Sequence, residues 1–189
     1  MNAETLTDRL VLRRAEPADL DAVHAINADP RVWAHFPSLR PTDPAQTAQS
    51  FDRWQRSWER AGLGTWVVRL RASGEIIGSG GCTLLGADPD VLSARVWNLG
   101  YRLSADHHGH GYATELARAA VAEAQRTAPE IPVIAYLVEH NRASAAVARK
   151  AGLALVHRAP DAGNPDPAVM RLVFADRPLT PEQQETTLR

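Results

Sequence analysis

Apolar positions recur along the chain at two periods, and the period switches mark the elements. Residues 10–14 alternate around apolar Leu10 and Leu12, the two-residue period of a short strand. Pro17 then opens a helix with Leu20, Val23 and Ile26 on one face, and Asp29-Pro30 ends it. Residues 31–40 follow no period and carry Trp33, His35 and Phe36. A second helix spans 43–61, with Phe51, Trp54 and Trp58 on one face and Gly62 and Gly64 at its close. That aromatic stripe reads as core or as the wall of a cleft.

Strands are expected over 65–70 and 76–85, joined by a Ser73-Gly74 turn. A loop over 86–90 leads to a longer strand over 93–103. Next comes a long helix in which Ala113, Leu116, Ala117, Ala120, Val121 and Ala124 share one face, small enough to lie close on a sheet. The apolar run 133–138 reads as a strand buried on both faces. Asn141 starts a short helix that Gly152 stops, and 153–157 with 168–174 complete a final strand pair. The expected order is β-α-α-β-β-β-α-β-α-β-β, an α/β (α+β) plan in one domain over 1–177, with a polar tail over 178–189.

Composition narrows the function classes. The chain has 189 residues, 44% hydrophobic and 23% charged, with a formal net charge of -1. That balance offers no general attraction to nucleic acid or anionic lipid. No stretch has the length of a membrane span, and the N-terminus lacks a signal-like apolar segment, so the chain reads as cytoplasmic. The single cysteine, Cys82, lies in an apolar, glycine-rich run and reads as a buried structural thiol.

The strongest chemical signal is the turn His108-Gly109-His110-Gly111-Tyr112-Ala113-Thr114, where a strand gives way to a long helix. The first N–H groups of a helix have no internal partners and sit at the positive end of its dipole. Gly109 and Gly111 remove side chains that would hold an anion away. The turn therefore suits phosphate. A dinucleotide-binding turn would need glycine where Thr114 stands. His107, His108 and His110 do not have a structural zinc spacing, and no metal is expected. A second signal is Asn141-Arg142-Ala143-Ser144, in which the Asn141 side chain suits an N-cap accepting from the Ser144 N–H.

These stretches, together with Leu99-Gly100-Tyr101-Arg102-Leu103 and Lys150-Ala151-Gly152-Leu153, resemble the GCN5-related N-acetyltransferase (GNAT) superfamily, most closely its ribosomal-protein N-terminal (RimJ/RimL-like) branch. The resemblance implies a mixed, mostly antiparallel sheet splayed between its fourth and fifth strands around a bulge and flanked by helices. It implies acetyl-CoA as co-substrate, transfer of its acetyl group to a primary amine, no metal, and a monomer or homodimer. The amine would be a peptide or protein N-terminus or a small molecule. His108, Gly111 and Ala113 fall on the family's pyrophosphate pattern. Main-chain N–H groups of Gly109, His110, Gly111, Tyr112, Ala113 and Thr114 would hold the pyrophosphate. Tyr101 and Leu103 would bind the pantetheine arm through their main chain, Asn141 would contact that arm, and Lys150 would reach a phosphate. Ser144 would face the leaving sulfur. Asn98 stands where relatives often carry a glutamate base, which leaves a catalytically weak CoA-binding module as the alternative. Trp33, His35 and Phe36 are expected on the acceptor side, with His35 a candidate base.

Overall fold

The computed structural model describes residues 4–86, 92–162, 164 and 166–188. Eight strands form one sheet in the order β1-β2-β3-β4-β5-β6-β8-β7. They are β1 (Glu4–Leu6), β2 (Leu10–Arg14), β3 (Thr65–Leu70), β4 (Ile76–Leu85), β5 (Val96–Leu103), β6 (Val133–Val138), β7 (Ala154–Pro160) and β8 (Met170–Ala175). Every neighbouring pair is antiparallel except β5 and β6, which run parallel. Five α-helices accompany them: α1 (Leu20–Ala28), α2 (Pro44–Ala61), α3 (Tyr112–Thr127), α4 (Arg142–Lys150) and α5 (Pro181–Leu188).

The local signals worked where they were strong. Asp43 caps α2 through the Ala45 N–H, Pro44 follows it, and Gly62 ends the helix in the left-handed region at φ 70°. Small residues let α3 lie on β4. A Cβ at Gly80 would come within 2.6 Å of Leu116 Cδ2 and 2.8 Å of Tyr101 Cβ, so only glycine permits this approach. The buried Cys82 Sγ lies 3.5 Å from the Ala120 carbonyl on the same face. Pleating therefore turns Leu99, Tyr101 and Leu103, the partners on that side, toward α3. Asn98, Gly100 and Arg102 face the opposite way.

On that opposite side, the carboxylate of the fully buried Asp19 accepts from Arg13 Nη2 at 3.0 Å and Arg69 Nη2 at 2.7 Å. Its second oxygen accepts from the Glu16 N–H. A carboxylate at this depth persists only when so paired, and the pairing ties β2 and β3 to the start of α1.

Four features differ from the sequence expectation. The three-residue β1, too short to show a period, pairs with β2. The strand expected over 93–103 begins at Val96, because Leu92–Ala94 forms a 3₁₀ turn. The expected tail carries α5, whose Thr186 hydroxyl donates to the Ala94 carbonyl at 3.0 Å while the Thr187 carbonyl accepts from Arg171 at 2.7 Å. No bulge interrupts β5, which keeps one register against β4 from Leu85↔Val96 to Gly78↔Leu103. The expected loop over 86–90 lies outside the described residues beyond Gly86.

Candidate active site

The parallel contact between β5 and β6 is short. It consists of Trp97↔Val133 and Asn98↔Ile134, after which the strands part. The direction of the main-chain groups beyond that fork follows from the ladder. The Trp97 N–H donates toward β6, to the Pro132 carbonyl at 2.9 Å, and the Ser104 N–H donates toward β4, to the Ile77 carbonyl at 2.8 Å. Alternation then aims the main chain of Tyr101 and Leu103 into the gap. Across it, the Glu139 N–H donates to Met170 on β8, so Tyr136 turns its main chain toward β5. The gap thus has strand edges on both sides and no strand between them.

At one end of the gap stands the start of α3. Gly109 and Gly111 both adopt φ 81°, a left-handed conformation that other residues rarely take. Among the described residues, the N–H groups of Gly109, His110, Gly111, Tyr112 and Ala113 have no protein acceptor, whereas Thr114 and Glu115 both donate to the Gly111 carbonyl. The Thr114 N–H is therefore engaged within the turn. The Glu115 side chain braces this turn against the β1–β2 corner, accepting from Thr7 Oγ1 at 2.6 Å, the Arg9 N–H and Arg9 Nε. Burial raises its carboxyl, but those donors outweigh burial and hold it below its ordinary range.

The three histidine rings of the turn find separate partners. His107 faces Glu75 at 3.7 Å, His108 Nε2 lies 3.1 Å from the Leu103 carbonyl, and His110 Nδ1 lies 2.9 Å from the His108 carbonyl. His108 therefore turns back to the end of β5 and occupies that carbonyl, leaving the Leu103 N–H for the gap.

The gap opens into a cleft of about 890 Å³ that continues across the sheet to the segment before α2. Ser144, Asn141, Tyr101, Asn98, Trp33, His35 and Phe36 all line it. Asn141 caps α4 as its spacing predicts, with Oδ1 accepting from the Ser144 N–H at 3.1 Å. The Tyr101 hydroxyl donates to the Ser144 carbonyl at 3.2 Å, and burial raises its pKa, so the phenol keeps its proton at neutral pH. Asn98 sits on the last rung before the strands part. Lys150 is not among the cleft residues. It ends the nine-residue α4, about 12 Å from the Asn141 end, and its carbonyl accepts from Arg118.

On the far wall, Trp33 is fixed by its indole N–H donating to the Asn27 carbonyl at 2.6 Å. His35 stacks beside it at 6.4 Å, and the His35 carbonyl lies 2.8 Å from His140 Nε2. Burial, then the nearby Arg102 and His140 side chains, hold the His35 imidazole below its ordinary pKa. The sequence reading missed Arg102, Gly100 and Tyr136. A Cβ at Gly100 would meet nothing within 4 Å, so the floor of the cleft is open there. Strand alternation could have placed Gly100 and Arg102 on the face of Asn98. Nothing in the sequence pairs Arg102 with Trp33. Among the described residues, no helix is long and apolar enough to cross a membrane.

Comparison with known proteins agrees with this geometry. Residues 9–154 match the family model described as an acetyltransferase (GNAT) domain. The Bacillus subtilis (strain 168) protein YkkB, itself uncharacterized, is 30% identical over 156 residues, 81% of this chain and 87% of its own length. An acetyltransferase structure from Agrobacterium tumefaciens str. C58 superposes with a TM-score of 0.72 at 30% identity, covering 94% of this chain and 96% of that one. RimL, a ribosomal L7/L12 alpha-N-protein acetyltransferase solved with coenzyme A, gives 0.72 at 19% identity over 90% and 95% of the two chains.

Proposed function

This chain belongs to the GNAT acetyltransferase family, and we propose that it carries the acetyl group of acetyl-CoA directly to a primary amine within one ternary complex. The observation that carries the proposal is the run of five unpartnered N–H groups from Gly109 to Ala113 beside parted strands. A pyrophosphate would replace water on those donors at the positive end of α3. The coenzyme A complex of the similar RimL supports this choice of ligand.

The pantetheine arm would lie in the gap as a missing strand, its amides meeting the main chain of Tyr101, the Leu103 N–H and Tyr136. When bound, acetyl-CoA supplies an activated acyl thioester. This chain's residues then position, exclude water and manage protons. The amine nitrogen forms its bond to the acyl carbon, the carbon–sulfur bond breaks, and coenzyme A leaves as a thiolate that takes up a proton. A main-chain N–H of β5 would bind the oxygen that gains charge. The Ser144 hydroxyl would steady the departing sulfur. The neutral His35 is the candidate to take the amine proton, with Asn98 orienting the amine or a water. An α-amino group, with a pKa of about 7.7–8.0, needs less help than a lysine at about 10.4, which suits a cleft whose described residues offer no free carboxylate base. A peptide N-terminus or a small amine fits that requirement.

Thiol release from acetyl-CoA, followed with a panel of peptides and small amines beside calorimetry of acetyl-CoA binding, tests the reading. Amine-dependent release supports it. Absence of binding heat overturns it. Tight binding with no amine-dependent release would instead favour a CoA-binding module, the reading that Asn98 at the fork suggests.

A further inference from the structure

The lining of the cleft is cationic, although the chain as a whole has a net charge of -1. Arg53, Arg56, Arg60, Arg102 and Arg171 line it, and Asp161 is the only carboxylate among the described lining residues. Asp161 is already committed, accepting from Arg171 Nε at 2.9 Å. The exposed arginines of α2 sit at the mouth. Arg102 differs, being half-buried on the floor, on the same face as Asn98 and Gly100 and about 7 Å along the strand from Gly100.

The Arg102 side chain makes no hydrogen bond or ion pair with a described residue. Its guanidinium lies 3.5 Å over the Trp33 ring, and Trp33 is itself pinned through Asn27. Stacking uses the flat face of a guanidinium and leaves its in-plane N–H donors free for a planar, two-oxygen acceptor. Desolvation without a counter-ion pushes the Arg102 pKa down to about 10, so the group stays charged at neutral pH but lacks a partner. A half-buried, rigidly held cation facing a cleft is a site built for an anion that arrives with the ligand.

Resting on the acetyl-transfer reading above, we infer that the acceptor is a primary amine carrying a carboxylate, and that Arg102 grips this carboxylate and so aims the amine at the fork between β5 and β6. The carboxylate is the shared chemistry of two sources, a free amino acid and a peptide that begins with an acidic residue.

The test compares each acid with its carboxamide. One arm uses free amino acids against their amides, and the other uses short peptides beginning with Asp or Glu against Asn or Gln. Thiol release is read for the wild type, Arg102→Gln and Arg102→Lys, with acetyl-CoA binding and melting temperature measured for each. The expected result is a kcat/KM preference for acid over amide of about 10- to 100-fold in one arm. That ratio should fall toward one in Arg102→Gln and recover only in part in Arg102→Lys, which keeps the charge but not the planar fork. The arm that shows the preference identifies the source. A wild type that treats acid and amide alike overturns this inference while leaving acetyl transfer intact, and so does transfer confined to amines without a carboxylate. If no amine of either arm is acetylated although acetyl-CoA binds, the inference also falls. If acetyl-CoA itself does not bind, it falls with the proposed function. The wild-type comparison alone decides the matter should Arg102→Gln fail to fold.

Discussion

Replacing Gly109 with alanine separates a turn that holds pyrophosphate from one that merely connects β5 to α3. Gly109 sits at φ 81°, and a Cβ added there meets nothing within 4 Å, so the substitution introduces backbone strain and no clash. An L-residue in the left-handed region costs about 1–2 kcal/mol. Among the described residues, the Gly109 main chain makes no hydrogen bond, so without ligand the turn is free to relax and shed that strain. Binding must then restore the strained conformation, and the Kd for coenzyme A should rise about 5- to 30-fold with little change in melting temperature. Gly74 supplies the control. Its φ is 74° and its Cβ position is equally open, but its N–H donates to the Leu70 carbonyl at 2.8 Å and its carbonyl accepts from Arg69 at 2.9 Å. The hairpin cannot relax there, so Gly74→Ala should lower the melting temperature by about 2–8 °C and leave the Kd alone. Calorimetry with coenzyme A and a thermal melt on both variants read the two effects. Wild-type affinity in Gly109→Ala would refute the assignment of the turn to phosphate.

Two further outcomes follow from buried charge. The Arg171 and Asp161 side chains are only 9% and 5% exposed, so Arg171→Ala strands a carboxylate and should cost about 3–5 kcal/mol in urea denaturation. Truncating both partners should recover part of that loss, and a single-variant cost below about 1 kcal/mol would contradict the pairing. Folding disfavours the charged form of His35. The unfolded chain therefore takes up a proton that the folded chain resists as pH falls below 6.5, and stability should decline there. His35→Gln should flatten that decline. If His35 also accepts the amine proton, the acid limb of kcat/KM lies below pH 6.5 in the wild type and moves upward in Arg102→Gln, since removing a nearby cation favours the imidazolium. An acid limb that stays put in that variant argues against His35 as the base.

Residue patterns alone determined the parts of this protein that depend on near neighbours. The cap of Asn141 on Ser144, the glycine turn at the head of α3 and the hairpin of β3 and β4 around Ser73-Gly74 follow from backbone conformation and side chains a few residues apart. Local rules marked the 109–113 amides, the family resemblance marked Asn98, Tyr101 and Ser144, and the fold sets all of them beside one gap. Tertiary structure decided what depends on residues far apart in the chain. α5 forms against Ala94 and Arg171, contacts that no periodicity in a polar segment announces. The gap forms because β5 and β6 share only two rungs, without the expected bulge. His108 turns inward because the Leu103 carbonyl waits at the strand end. Arg102 meets Trp33 only after the 3₁₀ turn Pro30–Trp33, which follows α1, folds over the sheet. A sequence carries propensities summed over a few residues, whereas a binding site is made of directions and distances that exist only once the layers have packed.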